Sequence, residues 1–255
     1  YDLKEKQQEE VVRENFLNRL KIIDQDLVNG IMKAWLFQFS VIPSLAWPFQ
    51  VYDFPLNFAK KLDIVANRYL KGWLGLHKKA DVGVLYRSRA SHGLGLTCPS
   101  LLLTQLKLQL IEYSKEGPEG QLANLYSRRL EREKKFTRRW KPGPTLEAAE
   151  ARLSFEIKFA GQTDRKGLGN KRYNYNPTPQ ARRKRISLGL AHDHDRKAEL
   201  HSMTLSQQGG WTVWSKNVHP YHLSWKDLIF LKNPKIFSHL INATINCLPS
   251  PSRLH

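Results

Sequence analysis

Sulfur chemistry is nearly missing from this chain. Among 255 residues there are two cysteines, Cys98 and Cys247, far apart and outside any CxxC pair. That excludes a disulfide framework and a cysteine-based zinc site, and makes a reducing, intracellular compartment, nuclear or cytoplasmic, the expectation. Long apolar runs are missing too. The most apolar stretch, Ile31 to Tyr52, is interrupted by Lys33, Gln38, Pro43, Pro48 and Gln50, so a membrane-spanning helix is not expected. The opening residues are charged and polar, unlike a secretory leader. No strand alternation, βαβ rhythm or internal repeat runs along the chain. Its start at Tyr1 and its end at His255, just past a Pro-Ser-Pro turn, read as the cut ends of something longer.

Acidic residues are also scarce. The 23 Asp and Glu stand against 41 Lys and Arg, giving a net charge of +18 and a pI near 9.9. Such a balance points to a polyanionic partner, either nucleic acid or an anionic membrane surface. The excess is lopsided: residues 1–120 carry 16 basic and 13 acidic groups, residues 121–255 carry 25 and 10. The first part reads as an ordinary folded piece and the second as the polyanion-facing one. A hydrophobic content of 41% suffices for a packed core.

What is present is helical patterning. In Pro55–Leu76 the residues Phe58, Leu62, Val65, Tyr69 and Trp73 step by three or four, which predicts one buried face, with Gly72 and Gly75 at the exit. Residues 3–29 predict a helix with Val12, Phe16, Leu20, Ile23 and Leu27 inward. Residues 31–42 predict a buried helix stopped by Pro43, and Pro43–Pro55 a rigid aromatic connector. A short strand-like piece is expected at Val82–Tyr86, a tight turn at Gly93 and Gly95, and a helix over 99–114. Beyond the turn at 117–120, helices are expected over Leu122–Trp140, 145–160 and about 181–205. A flexible segment is expected at 161–180, and two short helices flank Asn233-Pro234. The expected fold is all-α: a helical bundle over 1–120, a basic, partly flexible linker over 121–210, and a short helical segment over 211–255.

Few residues are arranged for catalysis. The run His192-Asp193-His194-Asp195 has metal-ligand chemistry, but helical neighbours point about 100° apart and cannot share one ion. Gly93-Leu94-Gly95 and Gly167-Leu168-Gly169 complete no phosphate-loop motif. Ser91-His92 has no third member of a triad, and no adjacent aspartates suggest a two-metal centre. No catalytic residue, metal or cofactor is expected. The informative groups are three basic runs, Arg128–Lys141, Arg165–Arg172 and Arg182–Arg185, interleaved with Tyr126, Phe136, Trp140, Tyr173 and Tyr175. Cations neutralise phosphates and aromatic rings stack on unpaired bases. No base-reading module accompanies them, so contact with the backbone is the expectation.

Short motifs then recur in a recognisable order: KAWLFQFSVIPSLAWPFQVYDFP, LDIVANRYLKGWLGL, VLYRS and GLGL before a leucine-rich helix. The C-terminal ELHSMTLSQQGGWTVWSK, SWKDLIF and INATINCLPSPSRLH follow. Together these resemble the thumb and post-thumb linker of reverse transcriptases from non-LTR retrotransposons of the restriction-like-endonuclease type. The middle, about 120–200, matches only loosely. The chain departs from the pattern at Gly75-Leu76-His77, where relatives read G-L-P. The resemblance implies a thumb that packs on a template–primer duplex. It places the palm with its catalytic aspartates upstream and a CCHC zinc knuckle shortly after Leu254. It therefore implies a non-catalytic piece of an RNA-directed DNA polymerase polyprotein that grips RNA or an RNA–DNA hybrid. Expected contacts are Lys71, Lys78, Lys79, Arg87 and Arg89, then Arg128, Arg129, Arg138, Arg139, Trp140, Arg182, Arg183 and Arg185. The alternatives are a stand-alone helical protein-interaction fragment (a decayed or co-opted retroelement relic with no nucleic-acid role) and, from another class, an anionic-membrane binder.

Overall fold

Where residues are described, helical spacing of apolar residues becomes helix. A computed structural model describes residues 5–89, 93–116, 178–205 and 233–244, with single positions and short pieces between 124 and 151. Of the described residues 81% are helical and none is a strand, which bears out the all-α class. No helix among them is long and apolar enough to cross a membrane. The chain divides into two units, Tyr1–Leu102 with His194–His255, and Leu103–Asp193.

The first unit is built on α1 (Glu5–Gln25), α2 (Gly30–Leu36), a π-helical turn (Phe37–Val41), α3 (Ile42–Ser44), α4 (Ala46–Val51) and α5 (Leu56–Trp73). Val12, Phe16, Leu20 and Ile23 of α1 are buried as expected. Leu27 is fully exposed, because the helix has already ended at Gln25. Helices α1 and α2 both pack on α5. Asn29 caps α2, its side-chain oxygen accepting from the Met32 amide at 2.8 Å. Gly30 then comes so close to α5 that a Cβ would lie 1.6 Å from the Trp73 carbonyl oxygen. Only glycine permits that approach.

The buried face of α5 is Phe58, Ala59, Leu62, Ala66 and Leu70. Two of the five residues predicted for it, Phe58 and Leu62, belong there, whereas Val65, Tyr69 and Trp73 are half-buried at its margin. Small Ala59 and Ala66 take the centre because neighbouring helices lie close, and the larger rings are turned to the rim. The exit of α5 is a Schellman motif: Leu76 N–H donates to the Lys71 carbonyl at 2.9 Å, Gly75 N–H to that of Gly72 at 3.2 Å, and Gly75 has φ +62°.

Pro43 does not stop the helical path. The π turn widens the coil, so that Ile42 N–H reaches the Phe37 carbonyl, and Pro43 lies in the first turn of the next segment. Pro48 is likewise in the first turn of α4, where no donor is needed. The expected connector is thus mostly helix. Its rings still pack as a group: Phe49, Phe54 and Phe58 follow one another at centroid distances of 6.0 and 5.0 Å.

The strand-like piece is instead a single helical turn, α6 (Gly83–Tyr86). Four residues are too few to pair without a partner strand, and 93–96 returns beside them through isolated bonds such as Leu94 N–H to the Val84 carbonyl, 2.9 Å. The turn glycines behave as expected: Gly95 has φ +66°, and a Cβ on Gly93 would meet the Arg87 carbonyl at 2.1 Å. Gln38, at the π turn, clasps Thr97 with both ends of its amide, at 3.1 and 2.8 Å. Helix α9 (Pro234–Thr244) buries Phe237 and Ile241, and its Ser238 and Asn242 both donate to the Gly75 carbonyl at 2.9 Å.

In the second unit the later part of α7 (Pro99–Glu116) and the earlier part of α8 (Pro179–Thr204) supply Leu103, Leu108, Ile111, Ile186 and Leu190 to the core. Leu146 is buried there too. Gln105 donates to the Ser187 carbonyl at 3.1 Å. Both helices match the sequence expectation. The turn at 117–120, most of the helices expected over 122–140 and 145–160, the 161–177 segment and the stretch 211–232 lie outside the described residues.

Candidate nucleic-acid interface

The α5 exit positions the first three expected contacts. Lys78 and Lys79 are exposed in the loop that follows. Lys71 is used internally: its ammonium donates to the carbonyls of Lys78 at 3.1 Å and Ala80 at 2.6 Å, which closes the loop. It is therefore a brace for the two lysines and not itself an open cation.

Arg87 departs furthest from the expectation. It is 4% exposed, and its Nε makes no hydrogen bond among the described residues. Burial pulls its pKa down, against the opposing pull of Asp81, Asp195 and Glu199. Such a guanidinium balances buried Asp81 and half-buried Asp195 and Glu199, and is not presented to a phosphate. The carboxylates that accompany it are Asp81, six residues away, and Asp195 and Glu199 of α8, more than a hundred residues away. Arg89 is half-buried.

Around Arg87 lies a polar network that sequence reading did not find. Buried Asp81 accepts from the Ser202 hydroxyl and from the Gly83 amide, and His201 Nδ1 lies 3.6 Å from it. Asp195 accepts from Ser88 through both the amide, 2.9 Å, and the hydroxyl, 3.0 Å. Of the predicted non-ligating run, His194 lies with its Nε2 3.5 Å from Cys98 Sγ and its ring edge-on to Tyr86. Among the described residues no three His, Cys, Asp or Glu form a metal-holding group.

Cys98 and His194 have the pairing of a nucleophile and its base, but their electrostatics oppose that role. Burial pushes the thiol up to about 11, and burial holds His194 below its usual value, so thiol and imidazole are both neutral near pH 7. Burial similarly raises Asp63, which accepts from the Ser100 amide at 3.0 Å, and raises Tyr86, whose hydroxyl donates to Asn67 Oδ1.

The second basic group is divided in use. Arg182 Nε lies 2.9 Å from Oε2 of Glu112, a side chain only 2% exposed. The N–H is not aligned for a hydrogen bond, so the contact is an ion pair. Arg183 lies 5.5 Å above the Tyr113 ring, a cation–π distance. Lys184 and Arg185 are exposed, as is Arg128. Arg129, Arg138, Arg139 and Trp140 lie outside the described residues. The geometry offers exposed cations at Lys78, Lys79, Arg128, Lys184 and Arg185, and offers no acid–base pair poised for catalysis among the described residues. No protein-family model, curated protein or solved structure matches the chain.

Proposed function

We propose that the chain binds nucleic acid through its phosphate backbone, without reading sequence. What carries this reading is the excess of 25 basic over 10 acidic residues in 121–255, with Arg128, Lys184 and Arg185 exposed where that part is described. A helical scaffold with a surplus of exposed cations and no catalytic constellation among the described residues suits counterion release from a polyanion. The motif order that resembles a retrotransposon thumb and linker supports RNA or an RNA–DNA hybrid as the bound form. In that reading the chain is the non-catalytic part of an RNA-directed DNA polymerase, and the flanking reading frame holds a paired-aspartate palm before it and a CCHC knuckle after it. Stop codons on both sides would instead favour a relic.

The test is fluorescence anisotropy of a labelled hybrid duplex at rising salt. Neutralising about five phosphates gives a log–log slope of roughly −4. A salt-independent affinity would remove the backbone reading. A protein-interaction role is favoured by one observation, the exposure of Ile236 and Leu240, four residues apart on α9. It predicts no affinity for the duplex at low salt, and a membrane role predicts liposome binding alone.

A further inference from the structure

A cleft of about 630 Å³ opens in the first unit where α1 ends, α2 begins and α5 ends. Asp24, Lys33, Arg68, Tyr69, Gly72 and Trp73 line it. We infer that it receives one unpaired nucleotide, its base against Trp73 and Tyr69 and its phosphate against Arg68 and Lys33. This rests on the nucleic-acid reading above and adds to it a preference for single strands.

The aromatic wall is fixed. Trp73 Nε1 donates to Asp24 Oδ1 at 2.7 Å, and the Tyr69 and Trp73 rings lie 5.6 Å apart at 50°. Both are half-buried, so each leaves part of its ring open. Stacking on a ring already held costs little further ordering and accepts any base. The cations differ in mobility. Lys33 is anchored by one donor to the Asp24 carbonyl at 2.7 Å, which leaves two of its three for a ligand. Arg68 is exposed beside it. With Asp24 the wall carries a net single positive charge, matched to one phosphodiester, and the Asp24 carboxylate can also accept from an exocyclic amine.

Gly72 is the second observation. It lies in the last turn of α5, and a Cβ there would meet nothing within 4 Å. Neither packing nor backbone angle requires it, unlike Gly30 and Gly75. A bare backbone on the cleft wall leaves space for a flat ligand to come close.

The experiment compares the full chain with Gly72→Leu, which fills the cleft, and Arg68→Gln, an exposed change that leaves the helices intact. Each is titrated against a labelled 12-nucleotide single strand and a 12-base-pair duplex, with circular dichroism and Tm as fold controls. Loss of one stacked base in Gly72→Leu predicts about tenfold weaker single-strand binding. Loss of one phosphate contact in Arg68→Gln predicts severalfold weaker single-strand binding with a shallower salt slope. In both, the single strand loses more than the duplex. Folded variants that bind the single strand as the parent does, or lose both ligands equally, overturn the cleft while leaving backbone binding in place. A Gly72→Leu chain that fails to fold leaves the decision to Arg68→Gln. A parent chain that binds neither ligand overturns backbone binding and the cleft together.

Discussion

Arg182 Nε lies 2.9 Å from Oε2 of Glu112, which is almost wholly buried while the arginine is partly exposed. Removing the arginine takes one ion-pair partner from a carboxylate in the second unit's core. Arg182→Ala is expected to cost about 2–3 kcal/mol, at the low end for a buried pair because one partner is solvated. Arg185→Ala, one helical turn on and exposed, should stay within about 0.5 kcal/mol. Urea denaturation of the two variants checks the contrast; equal losses would refute it.

Lys71 and its two neighbours should separate by phenotype. Lys71→Ala removes two bonds to loop carbonyls and is expected to lower stability by about 1–2 kcal/mol. Lys78→Glu with Lys79→Glu should leave the unfolding midpoint nearly unchanged and weaken duplex binding severalfold at low salt, the loss shrinking as salt rises. Stability and anisotropy measured on the same preparations decide whether brace and contact are distinct.

The Cys98 thiol should be inert in the folded chain. A pKa near 11 in place of 9 lowers its thiolate fraction about 100-fold at pH 8, before access is considered. In a Cys247→Ser background a thiol reagent should label Cys98 at least about 100-fold faster in denaturant than in buffer. Rapid labelling of the native chain would show that the Cys98–His194 contact is open to solvent.

His194 makes stability depend on pH with a defined sign. Its folded pKa is below its ordinary 6.5 because burial disfavours the charged ring, with Asp195 opposing and Lys197 assisting. Between the two values the unfolded chain binds more protons, so stability rises with pH. The contribution is complete above pH 6.5 and is lost as pH falls toward the folded value. Asp63 acts in the opposite sense nearer pH 4, its raised pKa favouring the fold as the solution becomes more acid. The drop in unfolding free energy from pH 7.5 to 5.5 should therefore be smaller in His194→Gln than in the parent.

Periodic signals carried across from sequence to structure, and contacts distant along the chain did not. Val12, Phe16, Leu20 and Ile23 are inward because their spacing matches the helix repeat. On α5 the same rule named the wrong margin, since alanine scores as weakly apolar yet Ala59 and Ala66 lie where helices come closest. Pro43 and Pro48 have the sequence mark of breakers, whereas the π turn before one and the first-turn position of the other have none. Among the basic residues, charge alone was visible. Which of them face water is decided by carboxylates, distant Glu112 for Arg182 and both neighbouring Asp81 and distant Asp195 for Arg87, and by two carbonyls for Lys71. Tyr69 and Trp73 were assigned to the core by period, whereas the cleft they line depends on Asp24 and Lys33 from other helices.

The π turn at Phe37–Val41 amounts to an α-helix with one residue too many. Each residue of a helix turns the chain by about 100°, so the surplus sets the azimuth of all that follows against all that precedes. Gln38, within the turn, meets Thr97 with that offset in place. Excising one residue from the turn would give a more regular coil and a mispointed one, its aromatic segment rotated off α5. The irregular stretch is thus the indexing step of the first unit, and regularity there would be the defect.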